Sequence, residues 1–444
     1  MPGPGEWNSR AATRQEPREG GERQAVLLAS PRQPGVMMDV NLDLSSIDLT
    51  SEIAYIALLF GLFVVPRILQ RWGVPTAITA FAIGAAASLG FGLFHGDETI
   101  SLLATLGIVS LFLFAGLEVN FPDLRKGAAV LVQHLVIRIL LVGGVAWVIV
   151  RMVSFDWRPA ILVSLALLTP STGFILDSLD SLAQNEKDRF WIRSKAIAVE
   201  MVALAAMFFT LKSESVEDLG LSTLALLAMI LILPLMFRAF ARVVLPHAPK
   251  SDFAFLVIVA AACALITRNL GVYYLVGAFI VGVVAQNFRA HMPSMQSDHM
   301  LRAVEALASL LVPFYFFHAG IELTRDDFSI EALVAGLVMV VCAVPVRLLT
   351  VALHRRLALK EPLRSTLKVA VPMLPTLVFT LVIAGILRDE YDIPSWLFGG
   401  LIVYAFVTTI MPALFTHKPP PDFTLPTVLP TVMPEMQAED ERQA

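Results

Sequence analysis

Arg193-Ser-Lys-Ala-Ile-Ala-Val-Glu200-Met-Val-Ala-Leu-Ala-Ala-Met-Phe-Phe209 reads as a membrane-crossing helix that carries one carboxylate, Glu200, near its middle. Insertion scales put a carboxylate at the bilayer centre at about 2.5–3.5 kcal/mol, so such a group marks a candidate functional site. Just upstream, Leu168-Thr-Pro-Ser-Thr-Gly173 interrupts an apolar segment with helix breakers. Together the two stretches point to an ion site inside a membrane domain.

Working outward, apolar runs of spanning length recur from Ile53 to Phe415. The 444 residues are 57% hydrophobic and only 16% charged, with a mean hydropathy of +0.73. A soluble domain carries about 25% charged residues. The chain is therefore expected to be an all-α polytopic membrane protein. Thirteen spans are expected near 53–70, 75–95, 99–120, 127–151, 158–180, 192–212, 219–244, 252–267, 270–287, 302–322, 330–353, 365–387 and 394–416. The tight link Arg268-Asn-Leu-Gly271 makes spans eight and nine a helical hairpin.

The domain so outlined covers 51–416. Residues 1–50 read as a disordered tail, with Met37 or Met38 as an alternative start, and 417–444 as a short polar tail. Cys263 and Cys342 both lie in apolar runs and suggest buried thiols rather than a disulfide framework. No basic domain suggests nucleic-acid binding, and no nucleophile–base pair, phosphate loop or resident metal cluster suggests an enzyme or a cofactor.

Lysine and arginine concentrate in alternate connections: Arg67 and Arg71, Arg125 and Lys126, Lys187 to Lys195, Arg238 to Lys250, Arg289 and Arg302, and Arg355 to Arg364. The positive-inside rule makes these cytoplasmic. The N-terminus is then outside and the C-terminus inside, as in a multi-pass protein of a bacterial inner membrane.

Two spans are broken in mid-membrane. The fifth holds Thr169, Pro170, Ser171, Thr172 and Gly173; the twelfth holds Pro372, Pro375 and Thr376. Proline removes a backbone donor and glycine loosens the chain, so freed backbone groups can meet an ion. Interrupted spans at matching places in two halves point to an inverted-repeat transporter. Ordinary proline kinks would leave the same mark at one site, less readily at two. Glu200 and Arg347 are the natural buried pair, each offsetting the other's desolvation. Arg138, seven spans before Arg347, would be its repeat-related structural counterpart. Glu118 would be a loop-capping or gating group, and His318 a core histidine.

Three segments resemble the monovalent cation:proton antiporter-2 family of the cation/proton antiporter superfamily. They are Leu102 to Glu118, Leu275-Val-Gly277-Ala-Phe-Ile-Val-Gly282, and Val312-Pro-Phe-Tyr-Phe-Phe-His-Ala-Gly320. Their order and spacing extend the resemblance over about 53–416. It implies a homodimer of thirteen-helix protomers in which two broken helices cross. It also implies that the carboxylate after the first broken helix, here Glu200 in place of the family's aspartate, takes cation and proton in turn. The preceding position is Val199, the basic residue of the later core helices falls on Arg347, and the family's Gly-Gly-Glu-Phe stretch appears as Leu374-Pro375-Thr376-Leu377.

The expected activity is exchange of Na⁺ or K⁺ for protons by single-carboxylate alternating access, with Glu200, Thr169, Ser171 and Thr172 binding the transported ion. Hard oxygen ligands suit such cations. A sodium-coupled organic-anion symporter of related fold and a non-transporting membrane sensor are the alternatives; cation-dependent proton flux separates exchange from both.

Overall fold

The computed structural model describes residues 49–153, 155–177, 179, 185–248, 251–289 and 298–416. Residues 1–48 and 417–444, and with them the expected alternative start, lie outside the described residues; Leu49 and Thr50, expected in the tail, begin the first helix. Among those residues the regular structure is helical throughout. Ten helices are long and apolar enough to cross a membrane, and a pair bent by 47° makes an eleventh. Two further apolar helices, Thr76–Phe91 and Tyr274–Phe288, are shorter. The expected thirteen is reached only if these two also cross.

In chain order the helices are α1 (Leu49–Phe63), α2 (Val65–Gln70), α3 (Thr76–Phe91), α4 (Glu98–Leu117), α5 (Phe121–Lys126), α6 (Ala128–Val153), α7 (Trp157–Leu168), α8 (Thr172–Asp177) and α9 (Glu186–Lys212). Then come α10 (Val216–Ala239), α11 (Asp252–Asn269), α12 (Tyr274–Arg289), α13 (Asp298–Ile321), α14 (Ile330–Leu359), α15 (Leu363–Ala370), α16 (Leu377–Tyr391) and α17 (Ser395–Thr416). Local signals set many of the ends. Asp97, Asn120, Asn185, Ser215 and Ser329 each accept a backbone N–H at a helix start. Gly271 turns at φ 63° between α11 and α12, which pack together as the expected hairpin.

The helices group in two sets. In one, α13 packs on α4 and α3, and α12 packs on α4 and α11. Small residues let these backbones approach closely. A Cβ on Gly116 would lie 2.4 Å from the Phe279 carbonyl oxygen, and one on Gly107 2.4 Å from that of Leu311. In the other set, α14 packs on α17, α16 on α17 and α7, and α6 on α7. Outward faces are apolar, as lipid requires: Leu140 and Trp147 on α6, Leu224 and Leu231 on α10, Val341 and Leu349 on α14. From Leu162 on, helix α7 and the break after it are instead buried, as are most of α16 and its counterpart break.

Candidate functional site

The two predicted breaks lie against each other. Helix α7 stops at Leu168, Thr169–Ser171 run without helical structure, and α8 begins at Thr172. In the other half, α15 passes into a 3₁₀ turn at Val371–Met373, and α16 begins after Thr376. The Ser171 N–H donates to the Pro375 carbonyl at 2.9 Å, and the Ser171 hydroxyl accepts the Phe379 N–H at 3.2 Å. The second bond caps the start of α16 from another helix, since Phe379 is its third residue and no side chain of its own cap serves. The Thr380 hydroxyl returns a bond to the Ala166 carbonyl at 2.8 Å, and those of Thr376 and Thr408 lie 3.1 Å apart. Each interruption thus supplies partners for the other.

Where each first half-helix ends, an arginine meets the carbonyls. Arg138 Nη1 donates to the Leu168 carbonyl at 3.0 Å. Arg347 Nη2 donates to the Met373 carbonyl at 2.7 Å, and its Nη1 to the Leu374 carbonyl at 2.9 Å and the Tyr404 hydroxyl at 3.0 Å. Tyr404 in turn donates to the Leu167 carbonyl at 2.5 Å. A helix C-terminus carries about half a negative charge and unpaired carbonyls, which is what a buried guanidinium needs. The two arginines play matching roles seven spans apart.

Glu200 is buried in the middle of α9. It lines a cavity of about 10 Å³ with Ser171, Thr172 and Gly173, closed by Leu111, Phe112 and Ala115 of α4. That is about the space of one water-sized sphere. Thr172 faces the Glu200 carboxylate through its hydroxyl and N–H, yet Glu200 Oε2 and Thr172 Oγ1 complete no hydrogen bond within 3.5 Å. Gly173 lies hard against α4, since a Cβ there would come within 2.7 Å of Leu111 Cδ1.

Glu200, Ser171, Thr172 and Gly173 are therefore brought together. Thr169 is placed differently, in a neighbouring cavity of about 70 Å³ with Arg138 and Val199. The expected ion pair of Glu200 with Arg347 is not among those within 4.0 Å in the described residues. Both Arg347 Nη groups instead donate to the second break's carbonyls and Tyr404, and its Nε is buried without a partner. Pro170 and Pro372 lie in the breaks themselves, and Pro375 contributes the carbonyl that Ser171 meets. Glu118 pairs with Arg193 at 2.6 Å. That pair borders a cavity of about 150 Å³ that also reaches Asp123, Glu186, Ser194 and Ile197. Ile197 is three residues from Glu200, one helical turn.

Sequence reasoning missed Tyr404 and Thr380, whose hydroxyls bind the first broken helix, because a hydroxyl in an apolar span gives no signal of its partner. It also counted Lys195 with the cytoplasmic connections, yet Lys195 is wholly buried within α9. Cys263 is buried as expected, whereas Cys342 is exposed on α14.

A family model described as "Sodium/hydrogen exchanger, transmembrane" matches residues 54–417. The chain is 23% identical over 370 residues to "Probable Na(+)/H(+) antiporter 3" of Methanocaldococcus jannaschii, covering 80% of this chain and 93% of the relative. It is 21% identical over 369 residues to the "Na(+)/H(+) antiporter" of Enterococcus hirae, covering 79% and 94%. Among solved structures, the sodium proton antiporter MjNhaP1 of Methanocaldococcus jannaschii superposes with a TM-score of 0.60 at 13% identity, covering 83% of this chain and 96% of that one. The last likeness concerns the fold.

Proposed function

Because the chain belongs to the sodium/hydrogen exchanger transmembrane family, we propose that it exchanges a monovalent cation, Na⁺ or K⁺, for protons across the membrane, with Glu200 as the shared site. One observation carries this reading. Glu200 Oε2, buried and without a partner, lines one small cavity with Thr172, whose hydroxyl and N–H face the carboxylate where the two broken helices cross. A buried carboxylate oxygen without a partner is costly, and a proton or a cation each removes that cost. The two cannot occupy it together, so binding one expels the other. One competing site couples the two fluxes and gives electroneutral, one-for-one exchange.

Thr172 supplies a second hard oxygen, and the start of α8 sets its position. Ser171 shapes the same cavity while its hydroxyl caps α16. Arg138 and Arg347 hold the half-helix ends and leave the carboxylate to the transported ion. Alternation comes from the set of helices carrying the breaks and Glu200 moving against α4 and its partners. The face with Arg125, Lys187 and Arg356 is cytoplasmic under the positive-inside rule.

The test is cation-dependent proton flux in proteoliposomes, wild type against Glu200→Gln, with Na⁺ and K⁺ gradients imposed separately. The wild type is expected to move protons against one or both cations, and Glu200→Gln against neither. Equal flux from both proteins sinks the assignment of Glu200.

A further inference from the structure

Four basic side chains from three helices converge below the ion site, toward the face with Lys187 and Arg356. Lys195 of α9, Arg355 of α14 and His134 of α6 are wholly buried, and His354 of α14 nearly so. Lys195 Nζ lies 3.3 Å from His354 Nδ1. The rings of His134 and His354 are 5.5 Å apart, and Arg355 lies over the ring of Trp191. One carboxylate is paired with this group. Glu361 binds Arg355 Nη2 at 2.6 Å with one oxygen and the exposed Lys187 at 2.7 Å with the other.

The remaining donors have no acceptor. His134 Nδ1 and Nε2, His354 Nε2, and Arg355 Nε and Nη1 are all buried without partners. With Lys195 donating to His354 Nδ1, the ring hydrogen of His354 sits on Nε2, which makes that atom a donor. His134 carries at least one N–H in either tautomer. Unmet buried donors are costly, so the cluster lacks acceptors and negative charge.

An apolar groove opens beside it. A cavity of about 940 Å³ lies between α6 and α14, with Val136, Leu349 and Leu353 among its walls and Gln133, Thr350 and His354 as polar members. Val136, Leu349 and Leu353 are exposed on the protein, so the groove faces the bilayer. His134 and His354 lie about 8–9 Å by helical rise from the ends of their helices, near the boundary of headgroups and acyl chains.

We infer that this groove binds an anionic phospholipid, with an acyl chain along the α6 and α14 walls and the phosphate at its polar lining of Gln133, Thr350 and His354, in the field of Lys195 and Arg355 buried behind His354. Basic pockets between spanning helices on the cytoplasmic side suit anionic headgroups. A free anion would leave the apolar walls unused, and a zwitterionic lipid would bring no net charge to a cluster that lacks it.

The test is native mass spectrometry of the full chain in mild detergent, with phosphatidylglycerol or phosphatidylcholine added and thermal melting measured alongside. Wild type is expected to retain phosphatidylglycerol and to melt higher with it, and to do neither with phosphatidylcholine. Lys195→Gln is expected to cut retention at least roughly fivefold, the effect of one basic side chain near an anionic surface. Leu353→Trp, at an exposed wall position, is expected to cut retention while melting near wild type in detergent alone. It keeps the test valid if Lys195→Gln fails to fold. Equal retention of the two lipids, or unchanged retention in Leu353→Trp, overturns the proposal. So does inorganic phosphate that displaces phosphatidylglycerol and stabilises Leu353→Trp as well as wild type, which would make this a free-anion site.

Discussion

Glu200 and Glu361 are both buried carboxylates with opposite surroundings. Glu200 keeps an oxygen without a partner, as the proposed exchange at this carboxylate requires. Glu361, in the link between α14 and α15, has both oxygens bound by cations. Burial by itself pushes the Glu361 carboxyl up, but the hydrogen bond from Lys187 and the charge and hydrogen bond of Arg355 outweigh it and hold the group below its ordinary 4.5. A depressed folded value means that the stabilisation is fully present above about pH 4.5 and is lost as the pH falls through the lower folded value. The melting temperature of the wild type should therefore drop more steeply below pH 4.5 than that of Glu361→Gln, and Glu361→Gln should melt lower at pH 7. Parallel acid curves for the two proteins would show that this link does not tie the helices together.

At the scale of elements, the two breaks work as one unit, and Ser171 shows what that means. Its hydroxyl accepts the Phe379 N–H and so performs at α16 the task that a cap normally performs within its own helix. Ser171→Ala should cost about 1 kcal/mol of stability, as loss of an N-cap does. It should lower the melting temperature while leaving the apparent cation affinity near wild type. A large loss of affinity at an unchanged melting temperature would make the hydroxyl an ion ligand instead. The breaks themselves were legible in the sequence, because Pro170 stands with hydroxyls and Gly173, and Pro372 with Pro375, whereas the single prolines Pro234, Pro313, Pro345 and Pro412 sit inside continuous helices. Glu200 stood out for the same reason, as a charge without local excuse. Their partners were not legible. Arg347 looked like a charge in need of a countercharge, whereas the carbonyls of Met373 and Leu374 answer it. Sequence shows where charged side chains are, but not where a broken helix leaves its carbonyls. The spacing held a clue, since Arg138 and Arg347 each precede a proline break by a similar stretch.

Over the whole molecule, the proposed ion site lies on the seam between the two sets of helices, with Leu111, Phe112 and Ala115 on one side and Ser171, Thr172 and Glu200 on the other. The first set is closed by glycines whose backbones touch, so it suits a rigid frame; Gly282 meets the Leu113 carbonyl oxygen at a 2.3 Å Cβ distance. If the second set moves against this frame, polar contacts across the seam must break in each cycle. Arg193 and Glu118 form such a contact: the guanidinium of α9 binds the carboxylate at 2.6 Å and the Glu118 carbonyl at 3.1 Å, where α4 ends. The Glu118 side chain is 15% exposed and that of Arg193 36%, so solvent weakens the pair to the range of surface pairs. Neutralising either partner should shift the balance between the two arrangements by about 0.5–1 kcal/mol, roughly two- to fivefold. Glu118→Gln and Arg193→Gln should each alter the maximal exchange rate by about that factor, and the double variant by no more than either alone. The apparent cation affinity should stay close to wild type, because neither side chain lines the Glu200 cavity. Rates that change additively in the double variant, or affinities that move with them, would mean that the pair is no latch across the seam.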